Sequence, residues 1–127
     1  MVTKKLATLS ESIATTGKAA VYGIYFDTGK SVIKPESDPT IDEIAKLLGQ
    51  NPGLKLFVVG HTDNVGSLEA NLKLSNDRAN AVTKALVERK IEGGRLKSVG
   101  VASYCPVASN RTDEGKAKNR RVELVEQ

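Results

Sequence analysis

The 127 residues include 39% hydrophobic and 27% charged side chains, a composition that fits one globular domain and argues against disorder. The net charge is only +4, so the composition by itself does not require a nucleic-acid partner. One cysteine and one histidine exclude an internal disulfide, a cysteine-based zinc site and a histidine-rich metal site, and nothing in the sequence indicates a cofactor. No apolar run approaches the roughly 20 residues that a membrane-spanning helix needs.

The first part of the chain is predicted to form a helix, a strand and a second helix. A helix is predicted over residues 3–16, where apolar residues recur at helical spacing until Gly17. Residues 21–26 are rich in β-branched and aromatic side chains, which predicts a strand. The second helix is predicted to have Asp38 as its N-cap and Pro39 at its first helical position, because both residue types favour those places.

Three strands and a third helix are predicted in the rest of the chain. Residues 54–59 form a strand whose last three residues are expected to be buried on both faces. The third helix has Ser75 as its expected N-cap and ends at Lys90. Strands over 96–101 and 122–125 follow, and a long irregular stretch is predicted from residue 103 to about residue 110. This order predicts an α+β fold: a mixed β-sheet of about four strands with helices packed mainly on one face, in a βαβαββ core after an N-terminal helix.

Two charged residues stand out from this pattern. Arg78 falls in the first turn of the helix that Ser75 is expected to cap, where the helix dipole disfavours a cation, so its removal is expected to leave stability unchanged or slightly higher. Asp63 follows a strand end, where sheets with βα connections bind ligands. Together they suit a zwitterion, with an ammonium on Asp63 and a carboxylate on Arg78. The structural alternatives are an Asx-turn at Asp63 and an Arg78 paired with Asp77 or Asp63.

Three further positions are weaker candidates for chemistry. His61 lies beside a strand end and is interpreted as a structural, hydrogen-bonded residue rather than a catalytic or metal-binding one. Cys105 is expected to be a half-buried small side chain, because no base is placed beside it. Residues 119–121 are interpreted either as a phosphate-binding patch or, more simply, as the solvated start of a strand.

Several separated blocks of sequence together form a recognisable pattern. They comprise residues 26–36, 60–66, 71–79 and 108–123. In this order and spacing they resemble the OmpA-like C-terminal domain, the peptidoglycan-associating module of Gram-negative envelopes. The resemblance divides the chain into an N-terminal helical extension or linker end over residues 1–20 and an OmpA-like binding domain over residues 21–127.

The resemblance implies a non-catalytic binder of the peptidoglycan stem peptide. The ligand of this family is usually meso-diaminopimelate, whose amino and carboxylate groups meet an aspartate and an arginine at positions matching Asp63 and Arg78. Asn71 matches a polar residue that lines the pocket, Thr28 and Gly29 match a loop that supplies backbone donors, and Leu72 and Arg120 match flanking positions. The expected ligand-binding residues are therefore Thr28, Gly29, Asp63, Asn71, Leu72, Arg78 and Arg120.

The expected role is to anchor a parent envelope protein to the cell wall without covalent chemistry. The resemblance places the chain in the periplasm, at the outer membrane or cell wall, as part of a longer exported protein of a Gram-negative bacterium. An enzyme that acts on peptidoglycan with Asp63 as general acid or base is the alternative, but it would need a second carboxylate or a metal. A nucleic-acid binder using residues 111–121 would lack the stacking aromatics that such surfaces need.

Overall fold

The structure, a computed structural model, describes residues 6–127, with side chains from residue 8 onward. Its helices and strands, in chain order, are α1 Leu6–Thr16, β1 Lys18–Val21, α2 Asp38–Gln50, β2 Leu56–His61, α3 Leu68–Glu88, β3 Leu96–Gly100, α4 Asp113–Asn119 and β4 Arg121–Glu126. The predicted α+β fold with a four-stranded mixed sheet is confirmed. The part of the first helix predicted at residues 3–5 lies outside the described residues. Within the described range, no helix combines the length and apolarity needed to cross a membrane.

The last strand of the chain lies inside the sheet rather than at its edge. The strand order is β1-β4-β2-β3, in which β4 is antiparallel to both of its neighbours and β2 is parallel to β3. Helix α3 makes the crossover connection that the parallel pair requires. His61, at the end of β2, pairs with Arg121, at the start of β4. Residues that follow β2 and residues that precede β4 therefore meet at one end of the sheet.

The core forms against one face of this sheet. Its buried apolar side chains are Leu9, Ile13, Ile41, Ile44, Leu47, Leu48, Ala79, Val82 and Leu86 from the helices and Ala19, Val21, Leu56, Val58, Leu96, Val122 and Leu124 from the strands. Along β2, Leu56 and Val58 are fully buried, whereas Phe57 and Val59 on the opposite face are only half-buried. The prediction that this strand is buried on both faces is wrong, because the core covers one face.

The first strand lies earlier in the chain than predicted. β1 begins at Lys18 and ends at Val21, and residues 22–26 leave the sheet, where Phe26 makes only an isolated bridge with Ile33. Side chains in this segment suggested a strand, but they line a cleft instead: Tyr22, Ile24, Tyr25 and Phe26. The predicted division between an N-terminal extension and a binding domain falls inside β1, and it stays a prediction.

The start of α2 differs by one residue from the prediction. Asp38 is the first helical residue and Pro39 the second, while Ser37 occupies the N-cap position. The hydroxyl of Ser37 does not cap the helix, because it accepts a hydrogen bond from the backbone amide of Tyr25 at 2.7 Å. The hydrogen bond between Ser37 and Tyr25 thus connects the segment after β1 to the start of α2.

Helix α3 begins well before its predicted start. Ser67 is the N-cap, and its hydroxyl accepts a hydrogen bond from a backbone amide of the first turn at 3.1 Å. Ser75, the predicted cap, is fully buried inside the helix and accepts a hydrogen bond from the backbone amide of Ala102 at 3.0 Å. The early turns escaped detection because Asn71 and Ser75 are polar and interrupt the apolar stripe of the buried face.

Two glycines allow α3 to lie directly on the strands. A Cβ atom at Gly60 in β2 would collide with the backbone carbonyl of Ser75, and one at Gly100 in β3 would collide with the backbone amide of Asn76. Glycine permits this close approach of two backbones because it has no side chain. The contact fixes the distance between the end of β2 and the helix that carries Arg78.

A short helix that was not predicted, α4, lies between the predicted irregular stretch and β4. Thr112 is its N-cap, and its hydroxyl accepts a hydrogen bond from the backbone amide of Gly115 at 3.0 Å. Asp113 and Glu114 lie in the first turn, where acidic residues are favoured. These capping signals were available in the sequence, but a helix of seven residues is too short to show an apolar period.

Candidate functional site

A cleft of about 780 Å³ opens where the end of β2, the start of β4, α3 and the segment after β1 meet. Six of the seven predicted binding residues line it: Thr28, Gly29, Asp63, Asn71, Arg78 and Arg120. Leu72 does not line the cleft; its side chain lies outside it and is 40% exposed. The fold therefore gathers residues that are distant in sequence into one concave surface.

Asp63 is the acidic residue of the cleft. It lies two residues beyond β2 and is only 8% exposed. Its Oδ1 accepts a hydrogen bond from the amide of Val65 at 3.0 Å, which forms the predicted Asx-turn. Its Oδ2 accepts a hydrogen bond from Nη1 of Arg120 at 2.6 Å. Asp63 thus shapes its loop and presents a charged oxygen to the cleft at the same time.

Arg78 holds the loop on the opposite side of the cleft. Its Nε donates to the carbonyl of Lys30 at 2.8 Å and its Nη2 to the carbonyl of Asp27 at 3.1 Å. Its guanidinium carbon lies 4.8 Å from the centre of the Phe26 ring, a cation–π contact. Nη1 has no hydrogen-bond partner among the described residues, so this edge of the guanidinium is free to receive a carboxylate.

The structure corrects two expectations about Arg78. The residue lies in the interior of α3 rather than in its first turn, so the premise that the helix dipole disfavours it there is wrong. Nor does it pair with Asp77, which binds Lys73 at 2.8 Å instead. Arg78 and Asp63, both within the described residues, form no direct ion pair. The structural role of Arg78 is to anchor a loop through backbone carbonyls.

The cleft carries an excess of positive charge. Burial and the positive charge of Arg120 lower the pKa of Arg78, and the carboxylate of Asp63 opposes them only in part. Arg78 remains cationic at physiological pH, because the guanidinium pKa is far above that range. An anionic group bound beside Arg78 would therefore be favoured electrostatically.

Asn71 organises the loop that carries Asp63. From the buried face of α3, its side-chain amide donates to the carbonyl of Val65 at 3.0 Å and more weakly to that of Asp63 at 3.4 Å. Asn71 therefore has a clear structural task in the ligand-free protein. On the other rim, Thr28 and Gly29 are exposed in the loop that Arg78 anchors.

A buried charged cluster adjoins the cleft, and two of its members, His61 and Arg121, contribute to the cleft lining. Arg121 binds Oε2 of Glu123 through Nε at 2.7 Å and Nη2 at 2.6 Å. His61 Nε2 lies 3.6 Å from Oε1 of Glu123, and neither ring nitrogen has a hydrogen-bond partner in residues 6–127. His61 is therefore buried beside the Glu123 carboxylate, and this position is consistent with the predicted structural role.

Both interpretations of residues 119–121 are also wrong. Asn119 is fully buried, and its amide makes four hydrogen bonds to the preceding loop, including those to Val107 and Ala108 at 2.8 and 3.1 Å. Arg121 is buried against Glu123, and only Arg120 is exposed. These residues form neither a phosphate patch nor a solvated strand start. Cys105, expected to be half-buried, is exposed.

Glu123 is expected to make stability depend on pH between about 2 and 4.5. The His61 ring and the Arg121 guanidinium hold the pKa of Glu123 at about 2, below its ordinary value of 4.5, despite burial. The unfolded chain therefore binds this proton at a higher pH than the native protein does. The stabilisation is complete above about pH 4.5 and is lost as the pH falls towards 2, and its size is on the order of 2 kcal/mol.

Urea unfolding of Glu123→Gln and of the wild type across this pH range measures the effect. The variant is expected to be less stable at neutral pH, with the difference shrinking as the pH falls, while Glu88→Gln at an exposed position serves as a control. A difference that remained constant down to pH 2 would contradict the assignment.

Comparisons with known proteins are consistent with this architecture. Residues 25–120 match the OmpA family. Outer membrane porin F of Pseudomonas aeruginosa is 48% identical over 101 residues, which are 79% of this chain and 29% of the porin. The peptidoglycan-binding protein ArfA of Mycobacterium bovis is 40% identical over 112 residues, which are 88% of this chain and 33% of ArfA. Both relatives are thus much longer than the region they share with this chain.

A solved structure resembles nearly the whole chain. The cell wall anchor of the T6SS from Pseudomonas aeruginosa superposes with a TM-score of 0.74 at 27% identity, and the match covers 98% of each chain. The similarity therefore extends beyond the residues that carry the family pattern and includes α1 and β1.

Across the described residues, no group of three or more histidine, cysteine, aspartate or glutamate side chains is placed to hold a metal ion.

Proposed function

Because the chain belongs to the OmpA family, we propose that it binds peptidoglycan non-covalently and anchors a parent envelope protein to the cell wall. The name of one relative states peptidoglycan binding, and that of a structural neighbour describes a cell wall anchor. The proposed location is the periplasm of a Gram-negative bacterium, at the outer membrane or the cell wall. The proposed ligand is the meso-diaminopimelate of the stem peptide.

The observation that carries this proposal is the pairing of opposite charges across one cleft. Asp63 offers a carboxylate on one side, and Arg78 offers a free guanidinium edge on the other. The distal carbon of diaminopimelate bears an ammonium and a carboxylate, which complement these two groups. Both side chains are held by hydrogen bonds to the backbone, so the site is largely formed before the ligand arrives.

The surroundings of Asp63 support binding rather than hydrolysis. Among the described residues that line the cleft, Asp63 is the only acidic one, whereas glycoside hydrolysis generally uses two carboxylates. Each of its oxygens already accepts a hydrogen bond, one from Val65 and one from Arg120. We therefore assign Asp63 a role in ligand binding and not in acid–base catalysis.

Calorimetry with two stem peptides tests the proposed ligand. A peptide with meso-diaminopimelate at its third position is expected to bind at least about tenfold more tightly than the same peptide with lysine, because lysine lacks the distal carboxylate that Arg78 would receive. Cosedimentation with purified sacculi tests the broader proposal of peptidoglycan binding. Equal affinity for the two peptides would show that the distal carboxylate is not recognised.

A further inference from the structure

We infer that the cleft selects a ligand end with one ammonium and two carboxylates, and that Arg120 exchanges Asp63 for the second carboxylate when the ligand binds. This inference rests on the proposed function. It adds to the distal end of diaminopimelate a second carboxylate of the stem peptide as a recognised group. It concerns the ion pair between Arg120 and Asp63, which uses the carboxylate that the proposed function assigns to the ligand's ammonium.

The charges that line the cleft do not balance for a simple zwitterion. Arg121 is neutralised by its ion pair with Glu123, which leaves Arg78 and Arg120 against the single carboxylate of Asp63. A ligand end of zero net charge would use Asp63 for its ammonium and Arg78 for its carboxylate. Arg120 would then lose its partner and lie beside a new ammonium, which is unfavourable. A second carboxylate would restore a partner for each charge.

Arg120 is the member of this group that is free to move. The side chain of Arg120 is 49% exposed, and its one hydrogen bond within the described residues is the one to Asp63. Arg78 is tied to two backbone carbonyls, and Asp63 is tied to the amide of Val65 with its side chain only 12% exposed. Entry of the ammonium is therefore expected to move Arg120, while Asp63 and Arg78 stay in place.

The stem peptide has two carboxylates that would satisfy Arg120. One is the α-carboxylate of the γ-linked D-glutamate that precedes diaminopimelate. The other is the main-chain carboxylate of diaminopimelate itself, which is free only where the peptide ends at that residue. Both present the same planar group, which a guanidinium binds through two parallel hydrogen bonds. Amidation removes the charge of a carboxylate. Amidating each of the two carboxylates in turn therefore shows which one Arg120 binds.

Calorimetry with three tripeptides distinguishes these possibilities. The ligands are L-Ala-γ-D-Glu-meso-diaminopimelate, the same peptide amidated at the glutamate α-carboxylate, and the same peptide amidated at the main-chain carboxylate of diaminopimelate. The proteins are the wild type, Arg120→Gln and Lys118→Gln, which removes the same charge from an exposed position of α4 outside the cleft lining. Circular dichroism confirms that each variant is folded.

Amidation of the recognised carboxylate is expected to weaken binding to the wild type and to Lys118→Gln by about three- to tenfold, a size set by the exposure of Arg120. Arg120→Gln is expected to bind the unmodified peptide less tightly but to show no loss on that amidation. It is also expected to bind the amidated peptide at least as tightly as the wild type does, because no guanidinium competes for Asp63. Arg120→Lys, which keeps the charge without the planar fork, is expected to be intermediate.

Two results would overturn the inference while leaving the proposed function in place: wild-type binding that neither amidation weakens, or an equal loss on amidation in the wild type and Arg120→Gln. Because the first result uses the wild type alone, it does not depend on how any variant folds. A wild type that binds none of the three tripeptides would overturn both the proposed diaminopimelate ligand and this inference, whereas cosedimentation with sacculi tests peptidoglycan binding separately.

Discussion

Asp63→Asn is expected to weaken binding of a diaminopimelate-containing stem peptide by at least about tenfold, because it removes a charge-assisted hydrogen bond to the ligand's ammonium. The substitution keeps an oxygen that accepts the hydrogen bond from the amide of Val65, so the Asx-turn is retained. The cost to folding is expected to stay below about 1 kcal/mol, because the lost ion pair with Arg120 is partly exposed to solvent.

Calorimetry and thermal melts of the two proteins measure binding and stability separately. Asp77→Asn provides a matched control: it makes the same chemical change on α3, where Asp77 pairs with Lys73 outside the cleft lining. The control is expected to bind as the wild type does. If Asp63→Asn kept wild-type affinity with an unchanged circular dichroism spectrum, Asp63 would have no role in binding the ligand.

Gly60→Ala is expected to cost about 3 kcal/mol of stability, near the upper end of the usual range for overpacking. The added Cβ would meet the backbone carbonyl of Ser75, which belongs to a helix and cannot rotate away as a flexible side chain does. To accept it, α3 must move away from β2, which also separates Arg78 from Asp63. Ligand affinity is therefore expected to fall together with stability.

Thermal unfolding with a second glycine variant tests this account. Gly49→Ala near the end of α2 adds the same methyl group at an exposed position with no neighbouring atom within 4 Å. It is expected to leave the melting temperature unchanged or slightly raised, because alanine favours the helix. Gly60→Ala is expected to lower the melting temperature by roughly 10 °C. If Gly60→Ala lowered the melting temperature no more than Gly49→Ala does, α3 would move away from β2 at little cost in stability.

The position of Asp63 after a buried strand and the α+β fold class were predictable from the sequence. Both depend on local properties: apolar periods, turn residues and the residue types preferred at helix ends. The start of α3 was not predictable in the same way. Its buried face carries Asn71 and Ser75, whose polar groups bond to the loop after β2 and to the amide of Ala102. Ser75 has the residue type of a helix cap, but it lies inside the helix and its buried hydroxyl contacts the loop after β3.

The sequence by itself predicted Asp63 and Arg78 as opposite charges of one site, because the blocks around them resemble a family pattern, and both residues line the cleft. Only the tertiary structure decided how those charges pair. Asp63 meets Arg120, which lies 57 residues further along the chain, because β4 enters the sheet beside β2. Arg78 is directed to the carbonyls of Asp27 and Lys30 rather than to a carboxylate. Such partners depend on strand order and on the close approach of α3 to the sheet, which no local pattern encodes.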